Sequence, residues 1–248
     1  METILKRIEN KKKQLDCHRP LNPALVNNLN QWFNIELTYS SNALEGNTLT
    51  RSETALVVEK GLTVNGKSLV DHLEAVNLAF ALDYVKELAH MPRNQITLSL
   101  ILQIHALIFR SIDSMHAGTL RTIQVKISGS DLVLPIPLKV PELMDEFINW
   151  LQTAQGNEVT IAADAHLKLI TIHPFVDGNG RTARLLMNLI LMQSGYPPAI
   201  IPQEKRAEYI DVLEQAQPYL KSQAYYTFIY QCVENSLDIY LNAIAQSL

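Results

Sequence analysis

The stretch His173-Pro174-Phe175-Val176-Asp177-Gly178-Asn179-Gly180-Arg181-Thr182-Ala183-Arg184 concentrates the residue types that do chemistry. The residue before a proline avoids the α conformation, so the helix carrying Ala165, Leu169 and Ile172 must end near His173. A second helix begins near Asn179 and is apolar nearly all round through Leu185, Leu186, Met187, Leu189, Ile190 and Leu191. That pattern predicts a central buried helix. Gly178, Asn179 and Gly180 then stand at a helix N-terminus, where unpaired N–H groups form an anion site. Arg181 and Arg184 share one face of the first turn, with Thr182 and Ala183 between them. Cations there oppose the helix dipole at a cost of roughly 0.3 kcal/mol or more, which a bound polyanion would offset. Two guanidinium groups beside a ring of N–H donors suit a polyphosphate. Asp177 adds one hard oxygen, the usual protein share of a Mg²⁺ site filled out by phosphates. His173 at the rim is suited to accepting a proton near pH 7.

Taken singly, each residue has an ordinary reading: a helix-end histidine, a turn aspartate, a solvated arginine pair. Jointly, about eight specified residues at one in twenty each give a chance expectation on the order of 10⁻⁸. The stretch resembles the Fic family signature HPFx(D/E)GN-G-R-x-x-R at every specified position. The similarity continues through Leu185-Leu186-Met187-Asn188 and Gly195-Tyr196-Pro197-Pro198, and covers roughly residues 35–235. It implies a mostly helical fold and transfer of AMP from Mg-ATP to a protein hydroxyl. By position, His173 resembles the base that deprotonates that hydroxyl, and Asp177 the Mg²⁺ ligand. Gly178, Asn179 and Gly180 look like the anion hole, Arg181 and Arg184 like the polyphosphate clamps, with Arg184 towards the γ-phosphate. Gly180 stands where phosphate-transferring Doc toxins carry lysine, which favours AMP transfer.

The elements that must position these groups read as helices. The 248 residues include only 9 Gly and 11 Pro, and 47% are hydrophobic. Such a chain lacks the turns that sandwiches and barrels need. Helices are expected at 1–17, from Asn22-Pro23 to Gly46, from the Thr50/Glu53 capping box to Gly61, and from Ser68 onward. Others follow at about 97–110, 141–155, 160–173, 179–194, 203–215 and 222–246. Residues 118–138 break the rhythm with β-branched alternation around Ser128-Gly129-Ser130-Asp131, a hairpin pattern. The expected architecture is an all-α Fic fold helical bundle with a small β-hairpin flap. Its regions are an N-terminal helical part (1–90), a core (91–235) and the end of the last helix (236–248). Tyr225, Phe228, Ile229, Cys232, Leu237 and Tyr240 give the last helix a closing face that could also serve a homodimer. His105 and His166 read as packing histidines. A formal charge of −4 argues against nucleic-acid or membrane-surface partners. Cys17 and Cys232 support no disulfide framework. No signal peptide or span of apolar residues is evident, so a cytoplasmic location is expected.

The resemblance assigns three further groups. The hairpin fits the family's flap, whose Val125, Lys126, Ile127 and Ser128 edge would meet nucleotide and target by main-chain pairing. Tyr209 and Gln217 resemble adenine-pocket residues, Gln217 standing where asparagine is common. Ser41, Glu45 and Gly46 match the inhibitory pattern (S/T)xxxE(G/N), with Leu44 in place of a frequent isoleucine. Glu45 would pair with Arg184 and occupy the guanidinium that the γ-phosphate needs. The expected function is a self-restrained protein adenylyltransferase using ATP and Mg²⁺ on a Ser, Thr or Tyr hydroxyl, itself included. A hydrolase removing AMP and a non-catalytic nucleotide-sensing module are the alternatives.

Overall fold

The computed structural model describes residues 3–127, 129–130 and 132–247. Its α helices are α1 (Ile4–Cys17), α2 (Pro23–Leu44), α3 (Arg51–Lys60), α4 (Leu69–Leu88) and α5 (Leu98–Ile108). They continue with α6 (Val140–Thr153), α7 (Glu158–Ile172), α8 (Asn179–Gln193), α9 (Arg206–Ala216) and α10 (Gln223–Ala245). Local chemistry sets the boundaries. Asn22 accepts from the Ala24 N–H ahead of Pro23, and Thr50 with Glu53 closes a reciprocal capping box. Ser68 and Asp71 close another, and Gly61 ends α3 in the left-handed region. Caps of this kind contribute about 1 kcal/mol each.

Helix α8 is the hub, buried from Arg181 to Leu191. Helix α7 packs along it, α4 and α5 flank it, and α2 lies across α4 and α8. The pair α7–α8 carries the loop between Ile172 and Asn179, so the catalytic segment is held by the two most buried helices of the chain. The main core cluster runs from Ile8 to Ile244, and a small second one joins Leu49, Val57 and Ala75 beside α3 and α4. Helix α10 continues unbroken past residue 235, and its Tyr225, Phe228, Ile229, Cys232 and Leu237 are buried. That face packs on α1, α7 and α9 within the chain.

The β-hairpin flap is not formed. Among the described residues no strand occurs, and both arms of 118–138 are extended without a ladder. Pro135 and Pro137 remove two ladder donors from the returning arm. Side chains tie the arms instead: Gln124 Nε2 donates to the Leu134 carbonyl at 3.3 Å, and the Arg121 guanidinium to the Ile123 and Pro135 carbonyls at 3.2 and 2.6 Å. The turn survives, with the Ser130 N–H donating to the Ile127 carbonyl at 3.2 Å. Ser128, expected on the flap edge, lies outside the described residues.

Candidate active site

Helix α7 ends because His173 takes a left-handed conformation, φ 51° and ψ 59°, ahead of Pro174. The chain then turns and re-enters helix at Asn179, with Gly178 at φ 75° as N-cap. Three residues brace this turn. Asn179 brackets it, its Oδ1 accepting from the Phe175 N–H at 2.9 Å and its Nδ2 donating to the Phe175 carbonyl at 3.0 Å. His105 Nε2–H donates to the Asp177 carbonyl at 3.0 Å, while Nδ1 accepts from the Gly118 N–H at 2.9 Å. The His105 ring also stacks on Phe175 at 3.7 Å between centroids. Arg121 donates to the His173 carbonyl at 2.7 Å, and its N–H to the Pro174 carbonyl at 2.8 Å. A Cβ at Gly178 would lie 2.3 Å from the Phe109 ring edge. Gly178→Ala should therefore combine left-handed strain with overpacking and lose about 2 kcal/mol or more of stability. Urea unfolding checks this, and an unchanged midpoint would refute the fit.

The turn opens into a cleft of about 240 Å³ lined by His173, Asn179, Gly180, Arg184, Tyr209, Gln217, Glu45 and Ile127, among others. Helix ends and loops distant in sequence thus bring together the expected base, anion site, one clamp and both adenine-side residues. Asp177 is not among the residues that line the cleft; 73% of its side chain is exposed and its Oδ2 lies 3.7 Å from Arg181 Nη2. Its Oδ1 accepts from the Gly178 N–H at 2.6 Å. Other expected residues take different positions. Arg181 is buried and pairs with Glu74 Oε1 at 2.6 Å, its guanidinium 5.1 Å from the Phe109 ring centroid. Thr182 and Ala183 face the core and line no part of the cleft. Val125 and Lys126 also stay outside it, whereas Ile127, Gly129 and Ser130 of the flap segment reach it.

Arg184 is held on the brake side by three bonds. It donates to Ser41 Oγ at 2.8 Å, to the Ser41 carbonyl at 2.9 Å, and to Glu45 Oε1 at 2.6 Å. Only 6% of the Arg184 side chain is exposed, against 36% for Glu45. Burial pushes the Glu45 carboxyl up, but Arg184 beside it prevails and holds it below the usual carboxylate range. Gly180 is required here for space, since a Cβ would lie 2.3 Å from Glu45 Oε1. Gly46 ends the brake segment at φ 99°.

Three residues of the site carry no spacing signal in the sequence. Arg206 lines the cleft and donates to the Leu44 carbonyl at 2.8 Å, fastening the last residue of α2. Arg121 looks like one residue of an extended arm. His105 packs as expected, stacked on Phe175, and its Nε2 also holds the Asp177 carbonyl while Nδ1 holds the Gly118 N–H; its place on an apolar helix face concealed those bonds.

His173 Nδ1 is buried without a hydrogen-bond partner, which leaves Nε2 for the cleft. Burial holds the ring pKa down to about 4, with the nearby Ile170 carbonyl opposing and Arg121 adding to the depression. Burial likewise holds His105 at about 4 and His166 at about 3. An unfolded histidine titrates near 6.5, so between about pH 4 and 6.5 the unfolded chain binds protons that the folded chain does not. The resulting stability is complete above the unfolded value and is lost as pH falls, by about 1.4 kcal/mol per unit for each ring. Glu36 and Asp164, raised by burial, act in the opposite sense only near the carboxylate range. Unfolding free energy should therefore fall steeply from pH 7 to 5. A flat profile would mean that these rings are protonated in the fold.

Residues 95–191, from the turn before α5 through nearly all of α8, match the Fic/DOC family. The curated "Protein adenylyltransferase Fic" of Drosophila grimshawi is 40% identical over 211 residues, covering 82% of this chain and 42% of that protein. The chain spans about half the length of the curated relatives it matches. Among solved structures, Fic-1 from C. elegans superposes with a TM-score of 0.87 at 30% identity, over 99% of this chain and 73% of that one. A Fic-domain signalling protein from Bacteroides thetaiotaomicron gives 0.86 at 28%, over 97% and 96%. The agreement extends from the loop after His173 to the helices that carry it, and the chain belongs to the Fic/DOC family.

Proposed function

We propose that the chain is a protein adenylyltransferase that moves AMP from ATP to a hydroxyl side chain of a target protein and is restrained by Glu45. The observation that supports this best is the cleft that joins His173, the helix N-terminus at Gly180, and Arg184. The curated relatives bear the matching name. In the transfer, the target oxygen bonds to the α-phosphorus as the bond to pyrophosphate breaks, and His173 Nε2 takes the hydroxyl proton. A ring that is neutral at pH 7 can accept that proton at once. The N–H groups at the start of α8 receive the developing phosphate charge, which is worth most where water is excluded. Arg184 holds the terminal phosphate, and Arg181, fixed by Glu74, adds positive charge behind the loop. Tyr209 and Gln217 wall the base side, and Ile127 with its neighbours guides the target chain.

Mg²⁺ fits one position. Asp177 offers a solvent-facing carboxylate on the same loop as His173, and no group of three acidic, histidine or cysteine side chains that could hold a metal occurs among the described residues. One carboxylate completed by phosphate oxygens is the usual Mg²⁺ arrangement, and the ion would neutralise phosphate charge when bound. Cytoplasmic location is part of the same proposal; no helix of the described chain is long and apolar enough to cross a membrane. The test is label transfer: the Glu45→Gly chain should incorporate label from α-labelled but not γ-labelled ATP into protein. Incorporation of γ-label would indicate phosphate transfer instead.

A further inference from the structure

Behind the cleft wall lies a chain of side chains that the transfer itself does not use. His166, fully buried on α7, sits between two phenols, with Nδ1 2.8 Å from the Tyr225 hydroxyl and Nε2 2.9 Å from the Tyr209 hydroxyl. Counting protons assigns a direction to every bond. Tyr225 donates its hydroxyl proton to the Ala163 carbonyl at 2.8 Å. Towards His166 it can therefore only accept, and Nδ1 must carry the hydrogen. The ring is neutral, its pKa held at about 3 by burial and by Arg184, so Nε2 is bare and accepts from Tyr209. Tyr209 thereby commits its only proton to His166. Tyr209 and Arg184 line the same cleft, and a guanidinium can only donate, so the lone pairs left on the Tyr209 oxygen are what it can offer Arg184.

Arg184 thus meets Ser41 of α2 and Glu45, the residue that caps α2, on one side, and shares the cleft with Tyr209 of α9 on the other. We propose that His166 is a positioning residue for Arg184: by keeping the Tyr209 hydroxyl an acceptor, it orients the guanidinium for the terminal phosphate once Glu45 is withdrawn. This rests on the reading of Arg184 as the phosphate partner. Without the histidine acceptor, the Tyr209 proton is free to rotate towards Arg184, where donor meets donor. The stacked ring of Tyr225, parallel to His166 within 10°, keeps the imidazole from turning.

The experiment uses the full chain carrying Glu45→Gly, with ATP and ADP affinities measured by titration calorimetry. Tyr209→Phe and His166→Phe should each weaken ATP binding about tenfold, the low end for a hydrogen bond to a charged group, and weaken ADP, which lacks the terminal phosphate, clearly less. The double variant should be no worse than either single, because His166 acts through one oxygen. His166→Gln, whose amide oxygen can accept from Tyr209, should recover most of the ATP affinity. Multiplying effects, equal losses for ATP and ADP, or a Gln variant no better than Phe would each overturn the assignment. Tyr209→Phe removes a single oxygen and decides the question even if His166→Phe does not fold. Arg184→Ala separates the two levels. If it keeps the preference for ATP over ADP, the phosphate reading falls; if it abolishes the preference while the other variants do not, only the His166 role falls.

Discussion

In the chain freed by Glu45→Gly, His173→Ala should bind Mg-ATP almost unchanged while transfer of AMP falls about 10²–10⁴-fold, the usual worth of a positioned general base. The separation follows from where the ring sits. His173 caps the C-terminal end of α7, whereas the N–H donors and Arg184 that meet phosphate belong to α8. The loop does not depend on the imidazole for its shape, since Asn179, His105 and Arg121 hold it through backbone groups and the buried Nδ1 holds nothing. Nucleotide affinity by calorimetry and AMP incorporation by mass spectrometry check the two halves. Undiminished transfer would remove His173 as the base, and lost binding would mean that the ring supports the loop after all. With its pKa held at about 4, the ring should also impose no change of rate between pH 6 and 8.

Glu45→Gly should raise AMP incorporation about ten- to a hundredfold, self-labelling included, as one charge-assisted contact on Arg184 is released. The loss is confined to that contact. Ser41 still accepts from Arg184, and Arg206 still holds the Leu44 carbonyl, so α2 stays docked. The thermal midpoint should accordingly move little, because Glu45 is partly solvated and such pairs add little stability. The sign with pH is also set. Glu45 is held below the usual carboxylate range, so the pair persists through neutral pH and weakens only as acidity passes that lowered value. Ordinary acidification should therefore leave the Glu45–Arg184 pair in place. If incorporation were the same with and without Glu45, the contact with Arg184 would be structural only.

The helices were legible because their signals are local. Thr50 and Glu53, Ser68 and Asp71, and Asn22 with Pro23 act within one turn of the helix they start, so tertiary packing had nothing to override. The apolar run after Arg184 could be buried only by surrounding it with other helices. The flap shows the converse. Alternation at 120–127 has the period of a strand, but a ladder needs donors from the returning arm, and Pro135 and Pro137 withhold two of them. Arg121 and Gln124 substitute side-chain bonds, which no periodicity reveals. The two arginines show the same limit. Positions 181 and 184 share a helix face, yet Arg181 is drawn to Glu74 on α4 and Arg184 to Glu45 on α2.

The sequence by itself determined the reactive loop of this protein. Its proline, glycines, histidine, aspartate and arginines are adjacent in the chain, and both their conformations and their chemistry follow from short-range sterics and charge. Only the tertiary structure decided which groups those residues meet. Glu45 is 139 positions from Arg184, Arg206 is 162 from Leu44, and His105 is 72 from Asp177. Contacts at such separations depend on how the helices pack around α8, and packing energy is spread over the whole core rather than written at any one position.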